Sequence, residues 1–431
     1  MWMTAKKEEQ ECSVSNCFMV GMRGRPAGQE GLMAGNNTGG RIMVVRQLTP
    51  EERFDAALIS TVAFHGKIDD LEKKREETRR ETVEDWGAFS DEGKMMARII
   101  NNRYTVFLDG HEVQCGGIGA VSTLPEYREE GAIRAIFRDL LSQARKNGEI
   151  LSALYPFNHA FYRKFGYETV CKQSNYTFAP EILQGYHHRG KAVMLSKEEE
   201  SRECLKLYAD FAQRYNLAAV RSEKMMQEHL KGSPYQERKF TYLLMNEEKP
   251  AAYLTVQDVS QSKGVTLKVQ DLAWDGPRGF ESILGFLSRF TADYDRIELP
   301  LPSDLELYSI IRSRKTYDIE KEPQPGFMVR LVNVPEALKR MRLPGKEAVI
   351  IQVEDALIPE NSGTWKVCGG SVEATEEQPD LVVSEQALAQ MVIGAVSLYE
   401  ASLVPDVRIM GKEELLQRVF VRKPLYCAEH F

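Results

Sequence analysis

Between Gly117 and Ala144 the hydrophobic period of this chain switches once, at a proline. Gly117 to Leu124 reads as a strand, and Pro125 ends it because proline has no N–H to give to a ladder. Ala132, Ile133, Ala135, Ile136, Leu140, Leu141 and Ala144 then recur at helical spacing. Between the two lies Arg128-Glu129-Glu130-Gly131-Ala132. A helix start offers unpaired N–H groups and about half a positive charge. Gly131 and Ala132 leave that backbone open to close approach, which suits a pyrophosphate, and Arg128 adds a charge-assisted contact.

R-x-x-G-x-x after a strand ending in proline resembles the acyl-CoA pyrophosphate loop of the GNAT superfamily of acetyltransferases. The residues after this helix fit the same resemblance: a short strand from Ile150 to Leu154, a break at Tyr155-Pro156-Phe157-Asn158, and AFYRKFGYE from Ala160 to Glu168. In GNAT folds the fourth and fifth strands splay to admit the pantetheine arm, and a short helix bearing a tyrosine follows the fifth. Tyr162 sits at that helix, with Phe165-Gly166-Tyr167 as the turn beyond it.

At 431 residues the chain fits two or three domains rather than one core. A net charge of −7 argues against nucleic acid as the main partner and is compatible with a cationic substrate. No apolar run approaches the ~18 residues that cross a bilayer, and no secretory leader pattern is present, so a cytoplasmic location is expected. Seven cysteines are scattered without a C-x-x-C pair, which favours free thiols over zinc or disulfides, and no metal is expected. His187-His188 reads as a solvated pair, and Cys115-Gly116-Gly117-Ile118-Gly119 enters a strand, not a helix, so it is no dinucleotide loop.

Residues 1–42 have no sustained periodicity and read as a disordered leader, with Met43 a candidate true start. A first α/β domain spans 43–190: a strand at Met43 to Gln47, a helix after Thr49-Pro50, a charge-rich helix from Lys67 to Glu84, and a hairpin about Asp109-Gly110. Residues 191–325 echo this order, with hairpin strands at Phe240 to Met245 and Ala251 to Val256, a strand at Val265 to Leu272 and a helix at Phe280 to Phe290. Their strand-to-helix turn, Trp274-Asp275-Gly276-Pro277-Arg278, puts an acid and a proline where a phosphate needs N–H groups, so this unit reads as GNAT-like without cofactor binding. Residues 326–431 read as α+β.

From Met43 to Phe431 the chain resembles the enhanced-intracellular-survival (Eis) family of GNAT enzymes, on TLPEYREEGAIRAIF, ALYPFNHAFYRKFGYE, RLVNVPEAL and the final Phe431. The resemblance implies two tandem GNAT-like domains, the second degenerate, then a sterol-carrier-protein-like α+β domain. It implies acetyl-CoA as cosubstrate, with Val121, Ser122 and Thr123 on the pantetheine amides, Arg128 and Glu129, Glu130, Gly131, Ala132, Ile133 and Arg134 around the pyrophosphate, and Phe157 with Asn158 at the thiol end. Tyr162 matches the family's proton donor to the thiolate, and the Phe431 α-carboxylate its general base. Phe64, His65, Glu429 and His430 are candidate acceptor-binding residues, and a hexamer is expected. The implied reaction acetylates primary amines of small cationic acceptors, of aminoglycoside or polyamine type. Two other readings stay open: a protein-lysine acetyltransferase, and an apolar-ligand-binding protein with a vestigial acetyltransferase fold.

Overall fold

The structure is a computed structural model and describes residues 36–38, 41–80, 83–170, 173–195, 201–261, 264–312, 315, 317–323 and 326–429. In the first unit β1 (Asn36–Thr38) and β2 (Arg41–Gln47) lead to helices α1 (Arg53–Ala63) and α2 (Leu71–Arg80). Thus Asn36–Thr38 and Arg41-Ile42, which lie in the stretch read as leader, are paired strand residues. An antiparallel meander follows, β3 (Glu84–Phe89), β4 (Met95–Leu108) and β5 (His111–Thr123). Asp109 and Gly110 join β4 to β5 at φ 50° and 83°, the two left-handed residues that a two-residue hairpin of this twist requires. Helix α3 (Ala132–Lys146) buries Ile136, Phe137, Leu140, Leu141 and Ala144 on one face of the sheet. It returns the chain to β6 (Glu149–Leu154), parallel to β5, and α4 (His159–Arg163) leads to the short β7 (Glu168–Thr169).

The second unit contains β8 (Ser174–Phe178), β9 (Ala192–Met194), α5 (Ser201–Ala212), α6 (Glu223–Leu230), β10 (Lys239–Asn246), β11 (Lys249–Gln261), β12 (Gly264–Trp274), α7 (Gly276–Leu287), β13 (Arg296–Leu301), α8 (Leu307–Ile310) and β14 (Ile319–Pro323). Its β12–α7–β13 crossover repeats β5–α3–β6, parallel strands included. The third contributes β15 (Met328–Leu331), α9 (Val334–Arg340), β16 (Val349–Glu354), β17 (Gly363–Cys368), β18 (Ser371–Ala374), β19 (Leu381–Ser384), α10 (Glu385–Ile393), α11 (Leu398–Ala401), β20 (Val407–Ile409) and α12 (Glu413–Val419).

Sheet membership does not follow chain order. The eight-stranded first sheet runs β1-β2-β3-β4-β5-β6-β15-β7, so β15, read from sequence with the third domain, lies between β6 and β7. Likewise β8, read as the end of the first domain, sits between β14 and β13 in the seven-stranded second sheet. All four residues of β15 are buried, and Arg330 in its middle ion-pairs with Asp355 and donates to the Phe165 carbonyl. A Cβ on Gly166, which has φ 85°, would fall 2.5 Å from Arg330 Nη1, so glycine answers two demands at the FGY turn. The third unit's five-stranded sheet and helices share one hydrophobic core with β5, β6 and β15, which leaves the α3 side of the first sheet for the candidate site.

Candidate functional site

Strands β5 and β6 pair only from Gln114 to Ile118 on one side and Glu149 to Leu154 on the other. Beyond Ile118 they part. At that point β5 carries a register shift against β4 and a left-handed Ala120 at φ 50°, a bulge that re-aims the residues after it. Ser122 is held by an Oγ–Oγ contact of 3.2 Å to Ser60, which also takes a bond from Arg98, itself in a buried pair with Asp85. The edge of Val121 to Thr123 that β6 no longer covers faces a cavity of roughly 720 Å³.

At the cavity's other end lies the turn into α3. Glu129 and Gly131 both adopt left-handed backbone, φ 69° and 84°, and the first bond of the helix is Ala135 N–H to the Gly131 carbonyl at 3.0 Å. The N–H groups of Ala132, Ile133 and Arg134 precede any intrahelical acceptor, and unpaired N–H groups at a helix start favour an anion. No acid occupies the first turn of α3, and Arg128, Arg134 and Lys164 line the cavity beside it. Glu129 lines it as well. Three cations and a row of N–H groups fit a polyphosphate, and the apolar wall of Val121, Ile133, Phe157, Phe161 and Phe165 fits an uncharged arm.

Phe157 is 68% exposed at this wall, an unusually open position for an aromatic ring. Tyr162 is 3% exposed, with ring centroids of Phe161, Phe157, Phe137 and Tyr167 at 5.1, 5.3, 6.4 and 6.4 Å. Burial pushes its phenol well above the usual value, so the hydroxyl holds its proton at neutral pH.

The cavity therefore brings together Phe64, Val121, Ser122, Thr123, Arg128, Glu129, Gly131, Ala132, Ile133, Arg134 and Phe157 among the residues expected from sequence. Asn158 does other work: its side chain accepts from Phe161 N–H at 3.1 Å and caps α4, thereby orienting Tyr162. Tyr162, Glu130 and His65 lie outside the lining; Tyr162 sits behind Phe157 and Phe161, and His65 is an exposed residue at φ 56° just after α1. His430 and Phe431 lie outside the described residues. Glu429 is buried and does not line the cavity, and its carboxylate is paired with Arg221 and His229. Sequence reasoning did not single out Ala63, Tyr127, Phe161 and Lys164; the three-residue spacing of Phe161 and Lys164 on the short helix was the available signal for two of them.

Residues 44–170 match the family model of the acetyltransferase (GNAT) domain, and residues 334–428 match that of a sterol carrier protein domain. An uncharacterized N-acetyltransferase of Streptomyces coelicolor is 26% identical over 327 residues, covering 69% of this chain and 76% of its own length. The crystal structure of a GCN5-related N-acetyltransferase from Anabaena variabilis superposes with a TM-score of 0.79 at 20% identity, covering 90% of this chain and 100% of that one. Eis1 from Mycobacterium abscessus does so with a TM-score of 0.75 at 19% identity, again over 90% and 100%. Both likenesses are of fold. No described helix is long and apolar enough to cross a membrane.

Proposed function

We propose that this chain, an acetyl-CoA-dependent N-acetyltransferase with a GNAT domain at residues 44–170, acetylates primary amines of small cationic acceptors by direct attack, with Tyr162 as the acid and the Phe431 α-carboxylate as the base. The observation that carries this reading is the continuous cavity linking the Gly131 turn to Phe157, whose ring centroid lies 5.3 Å from that of Tyr162. Acetyl-CoA supplies the activated acetyl group as a thioester. Gly131, the N–H groups after it, Arg128, Arg134 and Lys164 hold the phosphates, while the free edge of Val121 to Thr123 orients the amide-bearing arm and polarises the acyl carbonyl. Tyr162 keeps its proton in its aromatic pocket until a sulfur anion develops nearby.

A lysine-like amine has a pKa near 10.4, so only about one molecule in a thousand is neutral at pH 7. A base or a proton path to solvent is required, typically worth ~10² to 10⁴ in rate. The α-carboxylate role of Phe431 rests on the family resemblance. CoA release measured with polyamines, aminoglycosides and lysine-containing peptides, for the wild type and a variant lacking Phe431, tests the reading. Small cationic amines should be turned over fastest, with a large loss on deletion. Faster turnover of peptides would refute the acceptor class, and equal turnover in both proteins would remove Phe431 from the mechanism.

A further inference from the structure

Helix α4, which carries Tyr162, has only five residues and is too short to hold its own shape. Its start is capped by Asn158, and its end depends on the turn that follows. There the chain winds back on Tyr162, whose carbonyl accepts from Phe165 N–H at 2.9 Å and from Tyr167 N–H at 3.3 Å. Phe165 lines the cavity, and its own carbonyl accepts from Nη1 of Arg330, a fully buried residue of the third unit's strand β15.

Arg330 opens RLVNVPEAL, a stretch to which the reaction proposed above gives no role. The guanidinium's other terminal nitrogen pairs with Asp355. Asp355 is itself fixed, its Oδ1 accepting from Leu357 and Ile358 N–H at 2.9 and 3.0 Å and its Oδ2 from Asn361 Nδ2 at 2.9 Å. Burying a charge is costly, and a pair with Asp355 alone would need only a point charge. A planar fork lets one side chain hold a carboxylate of the third unit and a backbone carbonyl of the first. The turn sits directly on these groups: a Cβ on Gly166 would fall 2.5 Å from Arg330 Nη1 and 2.7 Å from Glu385 Oε2. Beside Glu385, Gln386 donates to the Arg163 carbonyl at 3.4 Å, a second contact from the third unit to the end of α4.

We propose that Arg330 is a positioning residue for Tyr162: by tying the Phe165 carbonyl to Asp355, the third unit fixes the turn after α4 and with it the place of the Tyr162 hydroxyl. The inference rests on the reading of Tyr162 as the acid. Arg330→Lys keeps a charge for Asp355 and removes the second arm of the fork. Should lysine not be accommodated, Arg330→Met combined with Asp355→Asn removes the arm and leaves neither charge unpaired. Each is made alone and with Tyr162→Phe, and kcat with acetyl-CoA and spermidine is taken per acetyl-CoA-binding site counted by calorimetry, so that unfolded chains do not enter it. Loss of the arm should lower kcat ~10- to 100-fold, as misplacement of a reacting group does, with the KM for acetyl-CoA unchanged. It should cost nothing further where the Tyr162 hydroxyl is already gone. Full kcat in the Arg330 variants, with kcat lost in Tyr162→Phe, would overturn the positioning alone, and so would equal losses in both backgrounds or a change confined to KM. Full kcat in Tyr162→Phe would overturn the reading of the acid and the inference with it.

Discussion

Replacing Gly131 by alanine isolates the backbone of the phosphate turn from its side chains. Gly131 stands at φ 84°, and a Cβ built there meets nothing within 4 Å, so any effect of Gly131→Ala comes from conformation and not from a clash. Holding an alanine in left-handed backbone costs about 1–2 kcal/mol. Gly131 is exposed, so the turn has room to relieve that strain by rotating away. Rotation misdirects the N–H groups that follow it, and the cost then appears in binding, where 1–2 kcal/mol is a ~5- to 30-fold weaker Kd. Isothermal titration should show this loss for CoA and no loss for a pantetheine thioester lacking the nucleotide. Gly131→Asn, which tolerates left-handed backbone better, should lose less. Affinity for CoA within twofold of wild type, or equal losses for both ligands, would refute phosphate binding at this turn.

Tyr162→Phe should lower kcat by ~10² or more while leaving KM for acetyl-CoA and the melting temperature near wild type, because the ring contacts survive and only the proton is removed. Lys164→Gln should weaken CoA more than its thioester fragment, and progressively less as salt rises, by calorimetry at two ionic strengths. Arg330→Met should cost ~3–5 kcal/mol in urea unfolding, since Asp355 would be left as an uncompensated buried charge. Burial raises the Glu149 carboxyl to about 7 against the hydrogen bond from Asn101. Its stabilising neutral form is complete below pH ~4.3 and lost as pH rises through 7. Glu149→Gln should therefore match wild type in stability at pH 4 and exceed it at pH 8 by on the order of 3 kcal/mol. At Glu429 the sign reverses: burial pushes its carboxyl up, but Arg221 and His229 outweigh that and hold it at about 2. The stability gap between wild type and Glu429→Gln should be full above pH ~4.3 and close as pH falls toward 2.

The pieces legible in the sequence were those with local causes. The period switch at Pro125 located α3, Asp109-Gly110 located the hairpin, and the glycine turn with the strand before it located most of the cavity wall. Strand β3 and the first half of β4 escaped because Trp86 to Phe89 and Met95 to Ile100 are buried throughout, which erases the alternation that marks a half-exposed strand. The exchange of β8 and β15 between sheets was hidden for a different reason. A short run such as Phe327 to Val332 can identify a strand, but which edge it joins depends on partners far away in the chain, as Met328 opposite Leu154 shows. Glu429 looked like an acid offered to a cationic acceptor because nothing near it in sequence announces Arg221 or Asp271.

Single-turnover transfer from acetyl-CoA labelled in its acetyl group to a polyamine, followed for the wild type and Tyr162→Phe, tests the central claim most directly. Label should pass from CoA to the amine with no protein-bound acetyl, and the substitution should slow the transfer ~10² or more without weakening acetyl-CoA binding. Label retained on the protein, or transfer at the wild-type rate without the Tyr162 hydroxyl, would contradict it.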